Sequence, residues 1–110
     1  MKASSLAFAF LLVGRPALAQ TTYTFLTVIE QESRTANTAK VLFAPAFQGK
    51  TDVPLAPLAS LSDVKNQATH RENVEFLNQQ LEAVTTAGWE LVTVTGLSGA
   101  HEYVFRRRKP

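Results

Sequence analysis

The sequence predicts an α+β fold in which one helix packs on one face of a three-stranded antiparallel sheet. Three strand-like segments rich in aromatic and β-branched residues begin near Tyr23, Trp89 and His101. A single helix-like apolar stripe separates the first segment from the other two, which are close enough in sequence to form a hairpin. A proline-containing insertion at about residues 37–62 would make the sheet four-stranded if it added an edge strand.

The first nineteen residues have the features of a secretory signal peptide. Lys2 supplies a positive charge, an apolar run follows over residues 3–13, and Ala17-Leu18-Ala19 places small residues before Gln20. The run is shorter than the about 20 apolar residues that span a bilayer. We expect an exported chain, periplasmic or secreted, with cleavage near Ala19-Gln20, one domain over residues 20–110 and no transmembrane span in the mature chain.

Charge and cysteine content narrow the classes of function. The chain is formally +2, but cleavage would remove Lys2 and Arg15 and leave nine basic and nine acidic residues. We expect no nucleic-acid partner for a balanced, exported chain. The absence of cysteine excludes disulfides and a lipoprotein anchor, so packing or association must stabilise the domain. Arg15, which follows the apolar run, leaves a membrane anchor open as the weaker alternative.

The sequence assigns a strand clearly to the first segment but leaves two structures open for the insertion. Tyr23 to Glu30 has the composition of a strand, and the polar residues after it predict a turn. In the insertion, strand-like residues surround Pro45, and Pro54 and Pro57 follow. Because proline removes a donor from a strand ladder, this part predicts either an edge strand or an ordered loop.

The helix is predicted near residues 70–87. An apolar stripe at three- and four-residue spacing marks its buried side, formed by Val74, Leu77, Leu81 and Val84. Thr69 and Glu72 have the spacing of a capping box at its start. Gly88 stands where a left-handed residue ends a helix, and Trp89 would pack back on the last turn.

The last two strands are predicted at Trp89 to Thr95 and His101 to Arg107. Gly96-Leu97-Ser98-Gly99 has the composition of a turn and would join them. It is not a G-x-S-x-G nucleophile motif, which requires a turn from a strand into a helix.

Motif residues on both sides of this turn resemble a known family. Gly88-Trp89-Glu90-Leu91-Val92 follows a helix with Leu77, Asn78 and Leu81, and Tyr103-Val104-Phe105-Arg106-Arg107 closes the chain. Together with Tyr23, Phe25 and Val94, this pattern resembles the bacterial domain-of-unknown-function family 4177. The resemblance implies a small β-α-β-β domain, and it brings no established activity and no catalytic residues.

Residues that could carry chemistry are few and scattered. His70 and His101 have no metal-ligand spacing, and Glu90 has no evident carboxylate partner. We favour structural roles for all three, with Glu90 pairing with a cross-strand arginine such as Arg106 or Arg108. The sequence predicts no catalytic residue, no cofactor site and no metal site, and therefore a protein that is not an enzyme.

The charge run Arg106, Arg107, Arg108 and Lys109 has two interpretations. It could contact anionic lipid head groups or an acidic envelope polymer. The favoured alternative is a charged strand end that keeps a sheet edge soluble.

Both faces of the predicted sheet are apolar, and one helix can cover only one of them. Strict alternation gives one face Tyr23, Phe25, Ile29, Trp89, Leu91, Tyr103 and Phe105. It gives the other face Leu26, Val28, Val92, Val94 and Val104. The candidate interaction surface is formed by Tyr23, Phe25, Trp89, Tyr103 and Phe105.

Soluble monomers rarely leave so much apolar surface exposed, so we expect something to cover the second face. Three kinds of cover for that face fit the sequence. The insertion could fold over it with Phe43, Phe47, Leu55 and Leu58, a second copy could bury it, or another envelope protein could dock there. The leading hypothesis is a non-enzymatic protein-interaction or self-associating module of the cell envelope. The alternative is a domain that binds a small ligand or an envelope polymer between sheet and insertion, and an enzyme comes third.

Overall fold

The structure is a computed structural model, and it describes residues 21–58 and 63–110. The predicted signal peptide over residues 1–19 and its cleavage site at Ala19-Gln20 lie outside the described residues. Within the described residues, no helix is long and apolar enough to cross a membrane.

The described residues form an α+β domain, as predicted, with one helix and one antiparallel sheet. The strands are β1 (Tyr23–Gln31), β2 (Lys40–Phe47), β3 (Lys50–Pro54), β4 (Glu90–Leu97) and β5 (Ala100–Arg108), and the helix is α1 (Asp63–Thr86). The five strands lie in the order β3-β2-β1-β5-β4, so that β1 is central and β3 and β4 form the edges.

The prediction of three or four strands is wrong, because the insertion forms a hairpin of two strands. Gln48 and Gly49 join β2 to β3 with φ angles of 51° and 79°, and two positive φ angles are typical of the tightest hairpin turn. The peptide bond between Ala44 and Pro45 is cis. The hairpin extends the sheet sideways from β1.

The helix is longer at its start than predicted and ends where expected. It begins at Asp63, so Thr69 and Glu72 lie in its interior and the predicted capping box is wrong. At the other end, Gly88 N donates to Thr85 O at 3.0 Å and Trp89 N to Val84 O at 3.3 Å. This pair of bonds forms a Schellman motif, and Gly88 has the positive φ of 98° that the motif requires.

One buried cluster lies between the helix and one side of the sheet, which we call the helix side. It includes Leu77 and Val84 of α1 together with Leu26 and Val28 of β1 and Phe105 of β5. The predicted helix stripe is confirmed at Leu77 and Val84, while Leu81 packs against the cluster.

The register of the strands corrects the predicted division of the sheet into faces. Leu26 pairs with Phe105 and Val28 with Tyr103, and residues directly opposite each other share a face. Tyr103 and Phe105 therefore lie on the helix side, not beside Tyr23 and Phe25. The alternation within β1 and β5 was predicted correctly, but its phase from one strand to the next depends on register, which composition does not specify.

The insertion contributes to the same core and does not cover the second face. Phe43, Phe47 and Leu55 belong to the buried cluster on the helix side. Val28 pairs with Phe43 and Glu30 with Val41, which places these β2 residues beneath the helix. The first of the three predicted covers is therefore wrong for the described residues.

Candidate interaction surface

The side of the sheet opposite the helix, which we call the open face, combines apolar side chains with charged ones such as Arg106 and Glu102. It carries Phe25, Ile29, Leu42 and Val104, which share one side through the pairs of β1 with β2 and β5. Phe25 is 52% exposed and the other three are partly exposed. Among the described residues of β1, β2 and β5, none on this side is buried.

The outer strand β4 is exposed along its whole length. Its sequence is ELVTVTGL, and Leu91, Val92, Val94 and Leu97 each expose about half of their surface. Leu91 lies opposite Phe105 and Val94 opposite Tyr103 on the helix side, but the buried cluster includes no residue of β4. The strand thus adds apolar surface on both of its sides.

A bulge divides β4 into two parts. Its register with β5 shifts between Leu91 and Thr93, and the pairing then runs without interruption from Thr93 to Leu97. The bulge adds one residue to the outer strand, so the inward and outward alternation changes phase there.

The other edge, β3, has a different chemical character. Its five residues are KTDVP, with a charged pair in which Lys40 Nζ of β2 lies 3.8 Å from Asp52 Oδ2. Pro54 ends the strand. Short length, charge and proline are the features that keep a sheet edge from pairing with other chains. None of them occurs in β4 between Leu91 and Leu97.

The structure divides the predicted interaction surface into an exposed and a buried part. Tyr23 and Phe25 lie on the open face, with ring centroids 6.5 Å apart. Trp89 is only 8% exposed and Phe105 only 1%, so burial within the chain leaves both residues almost no surface for a partner. Tyr103 is partly buried and packs against the core from the helix side.

The basic run alternates between two intramolecular environments. Arg106 Nε donates to Glu90 Oε1 at 2.9 Å, and the guanidinium lies 4.3 Å from the Tyr23 ring centroid. The hydrogen bond that Arg106 donates to Glu90 raises the pKa of Arg106 above its usual value. Arg107 instead stacks over the Trp89 ring at 4.2 Å. Arg108 and Lys109 are exposed.

A buried carboxylate on the helix side was not predicted from the sequence. Glu30 is 4% exposed, and its Oε1 lies 2.9 Å from His101 Nδ1 on β5. Burial, and then the negative charge of Glu30, raises the pKa of Tyr103 above its usual 10.0. Alternation from Leu26 and Val28 places Glu30 on the buried side, a signal that was available in the sequence.

A second polar network ties the helix to the segment after β3. The buried side chain of Asn73 accepts from Ala56 N at 3.0 Å and donates to Ala56 O at 2.9 Å. Its amide also donates to Glu32 Oε2 at 3.0 Å, and Glu32 Oε1 lies 2.6 Å from His70 Nδ1. Each polar atom of Asn73 is thereby used in holding three chain segments together.

The two histidines of the described residues lie in separate polar networks. Each histidine contacts one glutamate, and no group of three His, Cys, Asp or Glu residues that could hold a metal occurs in the described part of the chain. An open depression of about 450 Å³ lies beside the β2–β3 turn and the end of α1. Its lining residues are Gln48, Gln79, Glu82, Ala83, Thr86 and Ala87, none of which is buried.

Comparison of the chain with protein-family models, curated proteins and solved structures gives no match. The resemblance to family 4177 therefore remains a prediction that rests on the motif residues themselves.

Proposed function

We propose that this chain is a non-enzymatic protein-interaction or self-associating module of the cell envelope. The apolar surface that the described residues leave uncovered supports this function. Its large exposed side chains are Phe25 on the open face and Leu91, Val92, Val94 and Leu97 of the edge strand β4. Of these, Leu91 and Val94 lie on the helix side of that edge. Soluble monomers rarely leave large contiguous apolar patches exposed unless the patch binds something.

The type of surface favours a protein partner over a small ligand. Small-molecule sites are concave and combine apolar walls with a few convergent polar groups. The apolar residues here lie on a sheet face and along a strand edge. The polar groups that do converge, around Asn73 and Glu30, are already satisfied within the chain.

The envelope location rests on the predicted signal peptide. Export would place this apolar surface among envelope or secreted proteins. The partner is then either another envelope protein or a second copy of the chain.

Site-specific photo-crosslinking in living cells tests this function. A photoreactive side chain at Phe25 or at Val92 should give discrete crosslinked species, because both side chains are about half exposed on the proposed surface. The same group at Gln79, on the exposed side of α1, should give none and is the matched control. Absence of crosslinks from all three positions would contradict the proposal.

A further inference from the structure

The two edge strands, β3 and β4, differ in length, charge and proline content, and the difference makes β4 the candidate for pairing with another strand. An edge strand presents a row of unpaired main-chain N–H and C=O groups, which is a template for another strand. β3 is short and carries Lys50, Asp52 and Pro54. β4 has eight residues, and the seven from Leu91 to Leu97 have neither charge nor proline.

We propose that β4 pairs antiparallel with β4 of a second copy of this chain, so that two five-stranded sheets join into one continuous sheet. This inference rests on the proposed interaction function and names its partner. A two-fold axis perpendicular to the sheet generates such a pair, and the same surface then serves both copies.

The bulge determines where the axis passes. Such an axis keeps each residue on its own side of the sheet, so residues that pair across it must share a side. The regular run Thr93–Leu97 meets this condition over its full length when Thr95 pairs with Thr95 of the second copy. Registers centred closer to Leu91 would oppose residues from different sides, because the bulge has changed the phase.

In this register, the side chains that lie opposite each other across the axis are complementary in size. On the helix side, Val94, which is 49% exposed, lies opposite Gly96 of the second copy. A Cβ placed on Gly96 would have nothing within 4 Å, so there is room beside it for the valine. On the open face, Leu97 lies opposite Thr93, and the two copies of Thr95 form a threonine pair of the kind that stabilises sheets.

Charge also favours a second copy as the occupant. Pairing a strand with itself brings identical residues near one another, so a charged edge would repel its own copy. The charged residue of β4 is Glu90, and Arg106 already neutralises it at 2.9 Å. It stands outside the run that pairs.

The area of contact predicts a reversible dimer. The five residues that pair, Thr93–Leu97, span about 17 Å, and a sheet is about 10 Å thick. The contact strip is therefore well below the about 800 Å² per partner of a standard stable interface. Main-chain hydrogen bonds must supply much of the affinity, and the dimer should dissociate on dilution.

Single-cysteine variants test the register, because the native chain has no cysteine and disulfide formation traps a weak dimer. In Thr95→Cys, the two Cβ atoms would lie about 4.5–5.5 Å apart, close enough to oxidise with little movement. In Thr93→Cys, the same residue type on the same side, the two cysteines would be about 13 Å apart along the strand. Air oxidation of the purified protein followed by non-reducing electrophoresis measures both.

We expect most of Thr95→Cys to become a disulfide-linked dimer while Thr93→Cys remains at least tenfold less crosslinked. Equal crosslinking of the two variants, or none in either, would overturn the β4–β4 pair. If Thr95→Cys fails to crosslink but the photoreactive group at Val92 captures a different envelope protein, the interaction function holds and this inference is wrong. If both experiments are negative, both proposals fail.

Discussion

Leu26 of β1 and Phe105 of β5 lie directly opposite each other on the helix side of the sheet, and each is 1% exposed. This pair sets the phase of the two central strands. It buries the aromatic ring of β5 beneath the helix and directs Phe25, the neighbour of Leu26 in sequence, to the open face. Leu26 therefore belongs to the core, and its neighbour Phe25 belongs to the proposed interaction surface.

Alanine substitutions of Leu26 and Phe25 should lower the free energy of unfolding by very different amounts. Leu26→Ala removes a fully buried side chain and should lower the free energy of unfolding by about 2–5 kcal/mol. Phe25→Ala should change it by less than about 1 kcal/mol, since the ring is half exposed. Urea denaturation followed by circular dichroism measures both, and equal losses would contradict the assignment of faces.

The hydrogen bonds of the Asn73 side chain should contribute substantially to the free energy of unfolding. Asn73→Ala leaves the N–H and C=O of Ala56 without their partners, and we expect a loss of about 2–3 kcal/mol. Asn78→Ala, on the exposed side of the same helix, is the matched control and should be neutral or slightly stabilising. The difference between the urea unfolding midpoints of the two variants measures the contribution of these hydrogen bonds to stability. Similar midpoints would show that this contribution is small.

Gly88→Ala should destabilise the domain by about 1 kcal/mol. The cost is conformational, because Gly88 has φ 98° and alanine is strained there. A clash is not the cause, since the nearest atom to an added Cβ is Arg107 Cδ at 3.8 Å. Thermal denaturation measures the loss, and an unchanged midpoint would argue against the Schellman motif.

Stability should fall at alkaline pH through Tyr103. Burial and then Glu30 raise the pKa of its phenol above 10.0 in the folded chain, whereas the unfolded chain ionises near its ordinary value. The stabilisation is complete below about pH 10 and is lost as the pH rises through the folded pKa, because the unfolded state releases its proton first. Tyr103→Phe should lose less stability than the native chain between about pH 9 and pH 11. Denaturant unfolding at each pH measures both proteins. Equal losses of stability in the native chain and in Tyr103→Phe would contradict the role of the Tyr103 phenol.

Local signals in the sequence predicted the helix end and the β4–β5 hairpin. Gly88 followed by Trp89 marks a helix terminus through backbone geometry alone, and Ser98-Gly99 closes the hairpin between the paired residues Leu97 and Ala100. Gln48-Gly49 carries a similar signal, but Pro45 directed the interpretation toward a single edge strand or a loop. The helix start at Asp63 was missed because its first turns lack the apolar stripe seen farther along.

The candidate surface was only partly predictable because it depends on contacts between distant segments. The apolar composition of β4 is visible in the sequence, but its position at an edge follows from β5 pairing with β1. Trp89 and Phe105 were assigned to the surface because alternation alone does not relate one strand to the next. The bulge after Leu91 changes the phase again, and no residue type there indicates it.

The molar mass of the purified protein by light scattering, measured over a concentration series, tests whether β4 pairs between two copies of the chain. If it does, the mass should rise reversibly from that of one chain to that of two as concentration increases. Thr95→Lys should remain at the mass of one chain, because it places like charges opposite each other at the axis. Thr51→Lys, on the exposed β3 edge, should behave as the native chain does. A mass of one chain at every concentration for the native protein, or a dimer that Thr95→Lys leaves intact, would contradict pairing through β4.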